Sequence, residues 1–247
     1  MTGELRTVQI QDRIGHIYDN STQCREGKNG TDRRPLPVFY WGIGEDGRDS
    51  VLAAASCVER LLPGAAFVLA AYESDNWNDD FSPWAAPAVF GREGFGGKAG
   101  DTLEWLTAFY MPYVEKGLSE PVRFSLGYSL AGLFGLWAYC ESALFSGAVS
   151  CSGSLWYDGW LDYVREKAAE CRDQAAYLYL SLGDREERTK NRRMAAVGGN
   201  TKAVYTLLCV NQENVQGIFE WNQGGHFSEP DLRISKGIYW ILKHFDV

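Results

Sequence analysis

The run FSLGYSLAGLFGLWAY, residues 124–139, decides how this chain is read. An apolar, β-prone segment, Val122–Leu126, enters Gly127-Tyr128-Ser129-Leu130-Ala131-Gly132, and an apolar helical segment, Leu133–Tyr139, leaves it. A serine between small residues at a strand-to-helix turn has the sequence form of a nucleophile elbow. The turn strains the backbone at the serine, and side chains two positions to either side meet the neighbouring strand and helix. Those positions are Gly127 and Ala131, so the pattern is G-x-S-x-A-G, one methyl away from the usual G-x-S-x-G. With 27 glycines in the chain, short Gly/Ser patterns arise by chance, and it is the flanking strand and helix that give this one its weight.

Outward from the elbow, apolar runs alternate between strand-like and helix-like periods. Thr7–Ile10 and Gly15–Tyr18 read as an N-terminal antiparallel pair. Pro37–Gly42, Ala66–Tyr72, Val122–Leu126, Gly147–Cys151, Tyr177–Leu182 and Gln216–Trp221 read as strands, and the interior ones among them read as unbroken apolar runs, which indicates burial on both faces, as in parallel sheets. Helices are expected after a cap at Asp49-Ser50, after the D-x-x-E start at Asp101 and Glu104 with a bend at Pro112, and near 129–142, 157–171, 187–197, 201–210 and 232–245. Strands alternating with helices indicate βαβ crossovers. The expected fold is α/β: one doubly wound, mostly parallel sheet of about eight strands with helices on both faces, in a single domain over residues 1–247.

The 247 residues are 45% hydrophobic and 14% aromatic, ample for a buried core, and a net charge of −8 argues against nucleic-acid or anionic-membrane partners. The one basic cluster, Arg188, Lys190, Arg192 and Arg193, follows Asp184, Glu186 and Glu187, as in a helix matched to its own dipole. The first fifteen residues hold no apolar h-region, no stretch approaches a membrane span, and Cys24, Cys57, Cys140, Cys151, Cys171 and Cys209 show no C-x-x-C pair or metal-ligand spacing. The expectation is a cytoplasmic protein with no metal and no organic cofactor. Residues 20–36 read as a polar loop.

A serine hydroxyl needs a base to take its proton. Only three histidines are available. His16 falls in the N-terminal pair and His244 in the last turn of the terminal helix. His226 lies in WNQGGHF, residues 221–227, between the last strand and the last helix, at the sheet edge where Ser129 also sits. The third member is expected after a strand between the two, and LYLSLGDREERTKN supplies Asp184, Glu186 and Glu187. Asp184 and Glu187 have the spacing of a helix N-cap and its N3 partner, which leaves Glu186 for the histidine. The order Ser129, Glu186, His226 is one of the three common serine-hydrolase orders. An oxyanion site calls for the Leu130 N–H and a second donor from the loop after Pro37–Gly42, where Ile43 is the candidate.

The segments GYSLAGLFGLW at 127–137, CSGSLWYDGW at 151–160, SLGDREE at 181–187 and NQGGHF at 222–227, with the FYWGIG strand, resemble the esterase branch of the α/β-hydrolase superfamily. That branch includes S-formylglutathione hydrolases, feruloyl esterases, siderophore-ester hydrolases and mycolyltransferases. The resemblance implies nucleophile Ser129 and base His226. It favours Glu186 because the acid in this branch commonly falls three residues after a glycine, here Gly183. Ala131 departs from the usual glycine and Glu186 from the commoner aspartate. Some members manage with a Ser–His dyad, so Asp184 and Glu187 stay open as acids. The implied activity is hydrolysis of a small-molecule carboxylic ester through an acyl-enzyme. An acyltransferase or thioesterase would use the same residues, and a non-catalytic binding protein of this fold is the rival from another class. The loop ESDNWNDDFSPWAAPAVF, residues 73–90, is where substrate recognition is expected, with Trp77, Phe81 and Trp84, joined by Trp156, as a hydrophobic pocket; covering the sheet edge is the equal alternative for these aromatics. Asp79 and Asp80 read as solvated or turn-forming. The sequence leaves a homo-oligomer open.

Overall fold

The computed structural model describes residues 2–21, 35–45, 47–89, 91–170 and 175–245. Most of the polar loop 20–36, together with Cys24, Cys171 and Phe90, lies outside the described residues. Eight strands form one sheet in the order β1-β2-β4-β3-β7-β8-β9-β10. They are β1 (Glu4–Ile10), β2 (Arg13–Asp19), β3 (Leu36–Ile43), β4 (Val68–Glu73), β7 (Pro121–Tyr128), β8 (Phe145–Cys151), β9 (Ala176–Gly183) and β10 (Val215–Asn222). β1 and β2 pair antiparallel, β2 joins β4 antiparallel, and every pairing from β4 to β10 is parallel. The expected sheet is therefore observed; the strands run one to three residues past one or both expected ends, except that β4 starts two residues later than expected, at Val68. A second, two-stranded ribbon, β5 (Ala85–Ala86) with β6 (Phe95–Gly96), was not expected from the sequence.

The unbroken apolar strands have the predicted cause. All eight residues of β3 are buried. Val38 and Tyr40 face one layer, and Phe39 and Trp41 the other. On the second face Phe39, Trp41, Leu69, Phe124 and Leu126 pack against Val51, Ala54, Ala55 and Val58 of α1 (Arg48–Leu61) and Ile234, Ile238 and Ile241 of the terminal helix. After α2, the single turn Trp77–Asp80, the opposite face is covered mainly by α3 (Ala99–Trp105), α5 (Leu130–Glu141), α6 (Trp160–Ala168) and α8 (Val197–Tyr205). The terminal helix is α9 (Pro230–Phe245). Burial on both faces removes the selection for alternating polarity, so the interior strands read as continuous apolar runs, whereas the edge strands β1 and β10 are only partly buried and keep polar residues.

Helix starts differ from the sequence reading. α1 starts at Arg48 behind Gly47, and α3 at Ala99 behind Lys98, neither with a side-chain cap. A π-helical turn, Leu106–Tyr110, carries α3 into α4 (Met111–Val114), which contains Pro112. Between β9 and α8 the helix is only α7 (Arg192–Ala195), capped by Asn191, whose side-chain oxygen accepts from the Arg193 and Met194 N–H groups. The Asp184/Glu187 pair therefore caps no helix. Side-chain hydrogen bonding offers the chain several local turns at once, and tertiary contacts choose among them.

β3 sits between β4 and β7, so the chain builds the sheet first to one side of β3 and then to the other. Such a reversal opens a crevice at the carboxyl ends of the two strands, the usual ligand position in open α/β sheets. β7 ends one residue before Ser129, and the register pairing Gly42 with Gly127 places Ile43 at the level of the elbow.

Candidate active site

Ser129 joins β7 to α5 with φ 58° and ψ −123°. This positive φ is rare for a residue with a side chain and is held by its surroundings. The Ser129 N–H donates to the Cys151 carbonyl at 3.1 Å, and the Ser129 carbonyl accepts from Gly132, Leu133 and Ser154 N–H groups. A side chain at Gly127 would run into the Ala131 carbonyl, so this glycine has no substitute. Ala131 is fully buried with its methyl accommodated, which explains why G-x-S-x-A-G serves the turn.

Ser129 Oγ lies 3.0 Å from His226 Nε2, and His226 Nδ1 lies 2.7 Å from Glu186 Oε2. Three predicted residues from three loops thus form one hydrogen-bonded chain. Two of the loops are zipped together. Asp184 N–H donates to Asn222 O at 2.8 Å, Arg185 N–H to Gly224 O at 3.1 Å, and Gly224 N–H to Asp184 Oδ1 at 2.9 Å. Asp184, read as a cap, instead fastens the histidine loop. Glu187 lies against Gly198 of α8, and the carboxylate that meets His226 is that of Glu186.

The other carboxylate oxygen of Glu186, Oε1, accepts from Ser152 Oγ at 2.7 Å, Gly183 N–H at 2.7 Å and Arg233 Nη1 at 2.8 Å. Its side chain is 4% exposed and that of His226 25%. Burial alone would raise the Glu186 carboxyl, but hydrogen bonds from His226, Ser152 and Gly183 outweigh it and hold the group below its ordinary value. A carboxylate so held stays ionised and fixes the imidazole with Nδ1 protonated and Nε2 directed at the serine.

Leu130 is the first residue of α5, where backbone N–H groups lack intrahelical acceptors. Ile43 closes β3, its carbonyl taken by the Ser74 N–H at 3.0 Å. Trp77 stands beside the next residue, about 3.9 Å from where a Gly44 methyl would be. Phe81 is fully buried under Gly42, against Tyr72, Trp77 and Phe134, and presents no face to a ligand. Trp84 is half-buried, packs on Tyr157 and Tyr163 and donates Nε1–H to the Asp158 carbonyl at 2.9 Å. Trp156 is half-buried near Phe95, with the Arg193 guanidinium 5.9 Å from its ring centre. Phe227, next to His226, is 90% exposed.

The loop 73–90 is tied down by polar contacts that its composition hid. Asp80 is buried, paired with Arg13 at 3.3 Å and accepting from Ser74 Oγ at 2.8 Å, while Asp79 pairs with Lys98 at 2.9 Å. Neither is a free turn residue. His16 and His244 have structural partners: Glu73 at 2.8 Å for the first, the Trp240 carbonyl and ring for the second. Among the described residues no cluster of His, Cys, Asp and Glu could hold a metal ion. No helix of the described residues is long and apolar enough to cross a membrane.

Sequence reasoning missed Tyr128, Ser152 and Arg233. Arg233 was legible in one respect: it falls on the apolar face of α9, four residues before the buried Gly237, where a charge needs a partner.

No protein-family model matches the chain, and no curated protein sequence is similar to it. Solved structures are similar. An IroE-like serine hydrolase from Shewanella oneidensis superposes with a TM-score of 0.80 at 17% identity, over 99% of this chain and 82% of that one. The siderophore hydrolase EstA from Aspergillus nidulans gives 0.74 at 17%, over 98% and 94%. The enterobactin hydrolase IroE in complex with DFP gives 0.63 at 17%, over 97% and 93%. At these identities the likeness is one of fold, and together with the sheet order it makes this chain an α/β-hydrolase fold.

Proposed function

We propose that the protein is a serine-dependent hydrolase of small-molecule carboxylic esters, with the chemistry on a single domain. Ser129 Oγ attacks the ester carbonyl while His226 Nε2 takes its proton. Glu186 keeps the imidazole oriented and stabilises the imidazolium. The Leu130 and Ile43 N–H groups donate to the oxyanion. His226 then returns the proton to the departing alcohol, leaving an acyl group on Ser129, and water attacks that acyl with the same base. The observation that carries this reading is the unbroken Ser129–His226–Glu186 chain at 3.0 and 2.7 Å, set on a strained serine at the sheet's reversal point. Esterases and siderophore hydrolases among the structural neighbours support it. Trp77, half-buried beside Gly44, with Trp84 and Trp156 as the further half-buried aromatics, would take an aryl or bulky acyl group. Cys57, Cys151 and Cys209, which form no disulfide among the described residues, are consistent with the proposed cytoplasmic setting.

A fluorophosphonate probe is expected to label Ser129 alone, and the protein to turn over p-nitrophenyl acetate or butyrate. Ser129→Ala should lower turnover by roughly 10⁴-fold or more. Labelling that persists in Ser129→Ala would place the nucleophile elsewhere. Added alcohols that divert the acyl product would mark a transferase.

A further inference from the structure

Arg233 is 1% exposed on α9, and all five of its side-chain hydrogen-bond acceptors lie within the candidate site. Nη1 donates to Glu186 Oε1 at 2.8 Å, to Ser152 Oγ at 2.7 Å and to the Tyr128 hydroxyl at 3.2 Å. Nη2 donates to the Gly225 carbonyl at 2.9 Å and the Gln223 carbonyl at 3.4 Å. Tyr128, the residue before the nucleophile, donates its own hydroxyl proton to the His226 carbonyl. One side of the guanidinium thus grips the acid and its support, and the other grips the loop that carries the histidine.

We infer that Arg233 is a positioning residue for the Ser129–His226–Glu186 site: it fixes the Glu186 carboxylate and the His226 loop relative to each other. The inference rests on the proposed hydrolase reading. Its physical basis is the rigid guanidinium fork, which spans two groups of acceptors at fixed separation, as a point-charge ammonium does not. Stability alone does not call for this residue. The neighbouring positions on that face of α9 are Ile234, Gly237, Ile238 and Ile241, all buried, and an apolar side chain among them would avoid the cost of desolvating a charge. Arg233 touches no bulk solvent, so it acts through Glu186 and the loop rather than on substrate.

The test compares Arg233→Met, Arg233→Lys and Tyr128→Phe with the full-length parent protein. Two readouts are used: turnover of p-nitrophenyl butyrate, and the proton NMR signal of the hydrogen-bonded His226 Nδ1–H, which does not depend on catalysis. In Arg233→Met, kcat should fall by about a hundredfold, the penalty of a misplaced catalytic group, with KM unchanged. The Nδ1–H signal should move upfield or vanish by exchange. Arg233→Lys should recover part of kcat, and Tyr128→Phe should lower kcat with KM unchanged without burying an unpaired charge. A folded Arg233→Met with parental kcat and parental Nδ1–H signal overturns the inference. If Arg233→Met does not fold, parental kcat and signal in both Arg233→Lys and Tyr128→Phe overturn it. Failure of the hydrolase reading is separate: the parent then neither labels at Ser129 nor turns over ester, while the Nδ1–H signal still reports whether Arg233 places Glu186 on His226.

Discussion

Glu186 carries two loads at once. One carboxylate oxygen faces His226 and the other faces Arg233, and both its side chain and that of Arg233 are almost fully enclosed. Glu186→Gln keeps the shape but removes the charge. It turns one acceptor oxygen into a donor, opposite either an imidazole N–H or a guanidinium N–H. The expected result is a fall in kcat of roughly 10²–10⁴, as when a triad acid becomes an amide. Stability should fall by about 3–5 kcal/mol, because Arg233 is left buried and unpaired. Turnover and urea midpoints measure the two separately. The sequence pointed at Glu186 by a helix-cap argument whose premise does not hold, since Asn191 caps the nearby helix and Asp184 accepts from Gly224 N–H. Short polar side chains close local turns in several ways, and D-x-x-E spacing alone does not choose among them.

At the scale of elements, α9 connects the site to the sheet. Gly237 lies one helical turn after Arg233, and a methyl there would stand 2.9 Å from the Tyr179 ring and overlap Val149. Gly237→Ala is therefore expected to push α9 off β8 and β9. The cost should be about 1–3 kcal/mol of overpacking, beyond the gain in helix propensity. Arg233 should shift with the helix, so the rate of fluorophosphonate labelling at Ser129 should fall as well. Urea denaturation and labelling kinetics on the same sample check both; an unchanged rate in a destabilised variant would uncouple α9 from the site. The strands of this layer were legible because burial on both faces writes itself into composition. The β5–β6 ribbon was not, because two residues per strand leave no periodicity to read.

For the whole molecule, acid stability follows from two carboxylates held below their ordinary value of 4.5, Glu186 and Glu59. In both, burial acts upward and hydrogen bonds outweigh it; at Glu59 they come from Thr2, Tyr18 and Asn20. A carboxyl depressed in the folded state stabilises the fold fully above its unfolded value and loses that contribution as pH falls through the folded one. Urea midpoints should hold steady down to about pH 4.5, the ordinary value of a glutamate, then drop on further acidification. Glu186→Gln should show a shallower drop. An equally steep drop in that variant would assign the acid sensitivity to other groups.

The sequence by itself determined the layer architecture, the parallel sheet, the serine at its turn and the histidine one loop beyond the last strand. These are set by burial, backbone strain and chain order, which act locally or through period. Only the tertiary structure decided which acid meets the histidine, that Phe81 belongs to the core, that Asp80 pairs with Arg13, and that a buried arginine on the last helix joins the acid to the histidine loop. Each of these depends on contacts between residues distant in sequence. No local propensity encodes such contacts, and they exist only once the sheet brings the loop ends together.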